Sequence, residues 1–178
     1  MHRRPLASLA LALVLAGTAT TGARAHAPAR ALLGPPWLSI ELPANPLDPT
    51  TRGAFLVVRT YHHDRSTPFP LEGRAEGVVN GTRRTLPLSF DKAAQEGTFA
   101  LRKSWPSEGA WVLVITGMPG PGSVTALVSI AADGEVRQVR VPSRTVENGR
   151  WVVPVQVSAA DVESELRRVA GPTALGSR

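Results

Sequence analysis

Three histidines and an aspartate are the residues whose types and spacing invite chemistry: His26, and the run His62-His63-Asp64. Imidazole suits copper(II), which prefers nitrogen donors in a tetragonal plane. A histidine at a chain terminus offers two such donors, its amine and its ring. His26 takes that position if the chain is cut after Ala25. Pro28 at the third position lacks an amide proton and is not a histidine, so the common amino-terminal copper chelate is ruled out. A tight copper site would therefore recruit His62 or His63, with Asp64 as an oxygen donor. Successive side chains of a strand point to opposite faces. His62 and His63 can share an ion only if the strand ends near Tyr61 and "HHDRSTP" is a loop.

The cut itself is legible. Arg3 and Arg4 form a basic head, Leu6 to Ala16 is a Leu/Ala/Val run, and Ala23-Arg24-Ala25 supplies small residues at the two inspected positions. That order is a secretory signal, residues 1–25. The apolar run is shorter than the roughly 20 residues that span a bilayer. The mature chain is then expected to be periplasmic or extracellular, with no membrane anchor after cleavage. It begins with a leader, residues 26–36.

Removing 25 of the 178 residues leaves 153, enough for one domain with a sizeable core. Arg3, Arg4 and Arg24 leave with the signal, so the formal charge falls from +6 to +3. The remaining arginines are scattered and have no stacking aromatics beside them, which argues against nucleic acid. There is no cysteine, which excludes a disulfide framework and thiolate chemistry. Richness in Ala, Arg, Gly and Pro, with two lysines, points to a bacterium with GC-rich coding.

The elements that must position the histidines read as strands. Past Pro36 the chain is punctuated every eight to twelve residues, as in a sandwich. "WLSIEL" and "GAFLVVRTY" are joined by a Pro-rich loop. "RAEGVV" and "RTLPLSF" flank Asn80-Gly81, and "TALVSIA" and "EVRQVRV" flank Asp133-Gly134, dipeptides that favour the positive φ of hairpin turns. "GTFALRKSW" and "AWVLVIT" read as a further pair. In "RWVVPVQV", Trp151, Val153, Val155 and Val157 form one apolar face, and Pro154 predicts an edge. Ser158 and Asp161 resemble a capping box. Val162, Leu166 and Val169 then give a single apolar stripe, so 159–170 is expected to be a helix laid on the sandwich.

Few other residues invite catalysis. Asp64 and Ser66 lie near His63, but the Ser66 and Thr67 hydroxyls suit local turn bonds before Pro68. Glu72, Glu76, Glu96 and Glu108 fall at turns or on exposed strand positions. No Gly-rich loop precedes a helix. Trp111 and Trp151 alternate with apolar residues and read as core, whereas Trp37 and Trp105 fall at strand ends, where an aromatic caps the core or lines a groove.

"EGTFALRKSWPSEGAWVLVI" resembles the late part of the YtkA/FixH-like family of bacterial envelope domains. Gly97 and Phe99 match its first element, and Gly109, Trp111, Leu113 and Ile115 its second; "EGRAEGVVNG" stands for its central strand. The start "AHAP" is similar to that of the CopC copper-binding family, although that family's late Asp-x-His pair is lacking. These resemblances imply an immunoglobulin-like fold in the envelope, and the second implies copper. The expectation is an all-β, immunoglobulin-like antiparallel β-sandwich, residues 37–157, with a short C-terminal α-helix and tail, residues 158–178. Its expected role is a non-catalytic structural or interaction module of the envelope, with a protein partner and no cofactor. The alternative is a copper(II)-binding protein using His26, His62, His63 and Asp64.

Overall fold

The computed structural model describes residues 35–118, 120–146, 149 and 151–171, with the Trp151 side chain excepted. The expected signal segment, His26 and the tail past Gly171 lie outside them. Chain order is β1 (Pro36–Glu41), β2 (Leu56–His62), β3 (Arg65–Ser66), β4 (Leu71–Val79), β5 (Thr82–Pro87) and β6 (Phe90–Lys92). There follow β7 (Thr98–Leu101), β8 (Ala110–Gly117), β9 (Val124–Ile130), β10 (Val136–Arg140), β11 (Ser143–Val146), β12 (Trp151–Pro154) and the helix α1 (Ala159–Ala170).

One antiparallel sheet has the order β1-β2-β7-β6, with the short β3 also paired to β2; the other runs β10-β9-β8-β4-β5. This is the immunoglobulin strand order, extended by β10 beside the last strand. Leu56 and Val58 of β2 and Phe99 and Leu101 of β7 meet Trp111, Leu113 and Ile115 of β8 and Val124, Ala126 and Val128 of β9 in one core.

The strand β4, between β8 and β5, carries the smallest residues of that core. Gly73, Ala75 and Gly77 alternate along its inner face, while Glu72, Arg74, Glu76 and Val78 face outward. The gap is filled by rings from neighbouring strands. A Cβ at Gly77 would stand 2.3 Å from Trp111 Cε3, and one at Gly73 would stand 2.8 Å from Phe90 Cζ. Trp111, 1% exposed, satisfies its indole N–H on the Glu108 carbonyl at 3.0 Å.

Two turns differ from one another as their sequences dictate. Asn80 (φ 50°) and Gly81 (φ 75°) are both left-handed, closing the β4–β5 hairpin in two residues. In Asp133-Gly134 only the glycine is left-handed (φ 85°). Asp133 instead accepts the Glu135 N–H at 2.9 Å, and the register shifts between Val136 and Gln138. The third expected hairpin is corrected: β7 and β8 lie in opposite sheets, each paired elsewhere. Residues 102–109, stiffened by Pro106, cross the roughly 10 Å between sheets instead of turning within one. Trp105 closes that end of the core, 5% exposed and edge-on to Phe55 at 5.0 Å.

β8 and β9 read as continuous apolar runs because both their faces are covered. Their outer face carries Val112, Val114 and Leu127, which with Val78 receive Val162 and Leu166 of α1. The helix starts as its sequence predicts, with Ser158 and Asp161 in a reciprocal capping box, and it spans residues 159–170 as expected. β11 and β12 form a separate two-stranded ribbon. Val153, Pro154 and Val155 are half-buried and Val152 is 50% exposed, so the apolar face read there is shallow.

Polar contacts fix the helix rotation. Glu165, 2% exposed, faces Arg140 at 2.8 Å and Arg168 at 2.7 Å, and accepts a hydrogen bond from Ser129 at 3.1 Å. On the opposite flank Arg83 bridges Glu163 of α1 and Glu76 of β4. Burial pushes the Glu165 carboxyl pKa up, but the bonds from Arg168 and Ser129 and the charges of Arg168 and Arg140 outweigh it. The pKa is held below the ordinary glutamate value.

Two predictions follow from this packing. Gly77→Ala should destabilise by roughly 1–3 kcal/mol through overpacking against Trp111, read as a lower urea midpoint. A group with a depressed folded pKa stabilises fully above its unfolded pKa and loses that contribution as pH falls through the folded value. Urea midpoints should therefore drop below about pH 4.3. Glu165→Gln should be less stable at neutral pH and fall less steeply in acid. Because Glu76 is also depressed, the difference between the two pH curves isolates Glu165.

Candidate functional site

β2 runs through His62, whose parity matches the core residues Leu56 and Val58, and His62 is 8% exposed. The next two residues leave the strand. His63 (φ 51°) and Asp64 (φ 58°) are both left-handed, and Arg65 pairs back with His62, Ser66 with Tyr61. His-Asp thus makes the two-residue turn that Asn-Gly makes elsewhere, at a backbone cost that side chains with a Cβ carry in this region. The surrounding bonds hold it in place. Thr60 Oγ1 donates to the Thr67 carbonyl at 2.6 Å, Ser66 donates to the Glu96 carbonyl, and Gly97 (φ 68°) leaves room for the Ser66 hydroxyl.

The break in strand geometry brings the imidazoles of His62 and His63 together, with ring centroids 4.3 Å apart and planes tilted by 54°. Asp64 is exposed at the turn. Among the described residues no group of three His, Asp or Glu side chains is gathered to hold a metal ion. His26, the further nitrogen source expected, lies outside those residues. Thr67 Oγ1 makes the local turn bond expected of it, to the Arg65 carbonyl at 3.1 Å, whereas Ser66 reaches across to the β6–β7 turn.

The same hairpin leads into a groove that the histidine-centred reading missed. Pro68, Phe69, Pro70 and Leu71 form one wall; Phe90 and Lys92 of β6, with Phe99 of β7, form the other, around a volume of about 430 Å³. Phe69 and Phe99 are buried as the floor, Pro68 and Pro70 are exposed on the rim, and Phe90 is half-buried. The floor exists because glycines make way for it. A Cβ at Gly117 would stand 2.4 Å from Phe69 Cε2, as one at Gly73 would meet Phe90. The prolines contribute apolar wall without an N–H that needs a partner. Lys92 is the one charged residue of the lining. Among the described residues no carboxylate pairs with it, and neighbouring Asp91 is taken by Arg102 at 3.2 Å. The sequence signal was the phenylalanine between two prolines in "STPFPLE".

A second opening of about 390 Å³, lined by Arg140, Pro142, Val155 and Asp161 among others, lies at the base of the β11–β12 ribbon. Its charged groups are already used: Arg140 binds Glu165, and Asp161 caps the helix.

Replacing His63-Asp64 with Asn-Gly should raise stability by about 1 kcal/mol, since both residues then suit positive φ; thermal unfolding reads it, and a loss of stability would show that the His-Asp turn is supported by contacts of its own. In comparisons with family models, curated proteins and solved structures, none matches this chain.

Proposed function

We propose that this chain is an exported, non-catalytic interaction module of the bacterial cell envelope, holding a protein partner at the groove between Pro68–Leu71 and β6. The observation that carries the reading is that groove: three phenylalanines and two prolines opening to solvent beside Lys92, with which no carboxylate pairs among the described residues. Its volume falls in the range of roughly 300–1,000 Å³ typical of binding sites. The signal-like residues 1–25 support the compartment, and among the described residues no helix is long and apolar enough to cross a membrane.

The test is photo-cross-linking in cells, with the reactive side chain at position 68 and, as control, at the exposed position 84 of β5. A discrete adduct from position 68 and none from position 84 is the expected result. Repeated envelope preparations without an adduct at 68 would remove the reading. Intact mass of protein from the envelope fraction should correspond to a chain beginning at His26, and retention of residues 1–25 would contradict export by cleavage.

A second reading, copper(II) binding, is supported by the proximity of the His62 and His63 rings. Under it, copper affinity should fall strongly in His26→Ala and in the His62→Ala, His63→Ala double variant. Binding no tighter than that of a His-Ala-Pro peptide, measured by titration of the processed protein, would end it.

A further inference from the structure

The groove lies beside a free strand edge, and the two share residues. Among the described residues β6 is the last strand of its sheet, paired only with β7 through Phe90↔Leu101, Asp91↔Ala100 and Lys92↔Phe99. Opposed residues of an antiparallel pair alternate between exchanging hydrogen bonds and pointing theirs away. Ala93 N–H donates to the Thr98 carbonyl at 3.0 Å, which places Ala93/Thr98, and two residues on Asp91/Ala100, in the bonded class. Phe90/Leu101 and Lys92/Phe99 are therefore in the other class. Consistent with this, the Leu101 carbonyl accepts the Phe55 N–H on its far side at 2.8 Å. The N–H and C=O groups of Phe90 and Lys92 thus point outward from the edge. The side chains of these same two residues line the groove.

We infer that β6 is a strand-addition site: an extended segment of a partner protein pairs with the outward backbone groups of Phe90 and Lys92, seats an apolar side chain among Phe69, Phe90 and Phe99, and sets a carboxylate two residues away against Lys92. Main-chain bonding along an edge, with alternate side chains read by pockets, is an established way for sheets to take peptides. The spacing follows from the strand period of two, because Phe90 and Lys92 share a face and so must the residues opposite them. Charge selects the partner. The edges β5 and β10 of a second copy carry no carboxylate that could meet Lys92, their charged residues being Arg83, Arg84, Arg137 and Arg140. The Glu41 carboxylate of the edge strand β1 is held by Arg59 at 2.9 Å. A different, acidic-apolar chain is the complement. The shortness of β6 and the charges at positions 91 and 92 keep the edge from indiscriminate pairing.

This inference rests on the interaction-module reading and is tested separately from it, with purified protein. The probe is a fluorescein-labelled, amidated peptide Thr-Ser-Leu-Thr-Glu-Ser-Thr, followed by anisotropy. Its counterparts carry Lys in place of Glu, or N-methyl groups on one or the other set of alternate amides. The expected result is saturable binding of the Glu peptide, at least tenfold weaker for the Lys peptide, and abolished by N-methylation of one alternate set but not the other. The surface variant Lys92→Glu, with its fold checked by circular dichroism, should reverse the preference between Glu and Lys peptides. Equal tolerance of both N-methylated sets would overturn strand addition, as would failure of every probe to saturate. If adducts still form at position 68 in cells, only strand addition falls and the module reading stands. A peptide-dissociated dimer of the free protein in sedimentation would make the occupant a second copy and overturn the assignment to a different chain.

Discussion

With no cysteine to staple its sheets, the sandwich depends on rings packed over positions that have no side chain. Trp111 covers Gly77, Phe90 covers Gly73 and Phe69 covers Gly117. Close packing at interior density leaves little slack, so each ring and its glycine must be present together. The arrangement also joins the core to the proposed site. The first of these pairs lies in the middle of the core, but the other two lie where the sheets part, and their rings become the floor and wall of the groove. The groove is therefore built on the margin of the core.

The second sheet carries a separate constraint. Its central strands are apolar on both faces, and a sandwich alone would leave the outer face in water. Val162 and Leu166 of α1 cover it, each burial being worth roughly 1.5–3 kcal/mol. The ion pairs around them contribute less to net stability than to orientation, because the arginines that face Glu165 are half-exposed and screened by solvent. They nevertheless fix which way the helix is turned: Glu163 reaches Arg83 of the edge strand β5, and Glu165 reaches Arg140 of β10. The helix is thus referenced to both edges of its sheet, on the side away from the first sheet. The groove at β6 is left open by this arrangement.

Signals that act within a few residues were legible in the chain. The capping box at Ser158 and Asp161, the Asn80-Gly81 turn and the extent of α1 follow from backbone preferences and periodicity, and the structure has them as read. Reading failed where the outcome depended on distant chain. The pair 98–101 and 110–117 looks like a hairpin because a Pro- and Gly-containing linker suits a turn and a crossover equally. What decides is that β2 and β4 are better partners across longer separations. His63-Asp64 lacks the composition of a tight turn and becomes one because the bonds from Thr60 and Ser66 close around it.

The residues of the site divide in the same way. Sequence by itself determined the all-β sandwich, the helix and its apolar face, since each rests on local spacing and on the size of single side chains. It also singled out His62, His63 and Asp64, because imidazole and carboxylate advertise their chemistry. Apart from Phe69 with its two flanking prolines, the groove residues Phe90, Lys92 and Phe99 carry no such signal, being ordinary strand residues up to 30 positions from it. Only the tertiary structure made them one surface, by bringing β6 to a sheet edge and the Pro68–Leu71 segment across from it. A groove is a property of chain crossings, and crossings are decided by which strands pair at long range, a choice no local pattern encodes.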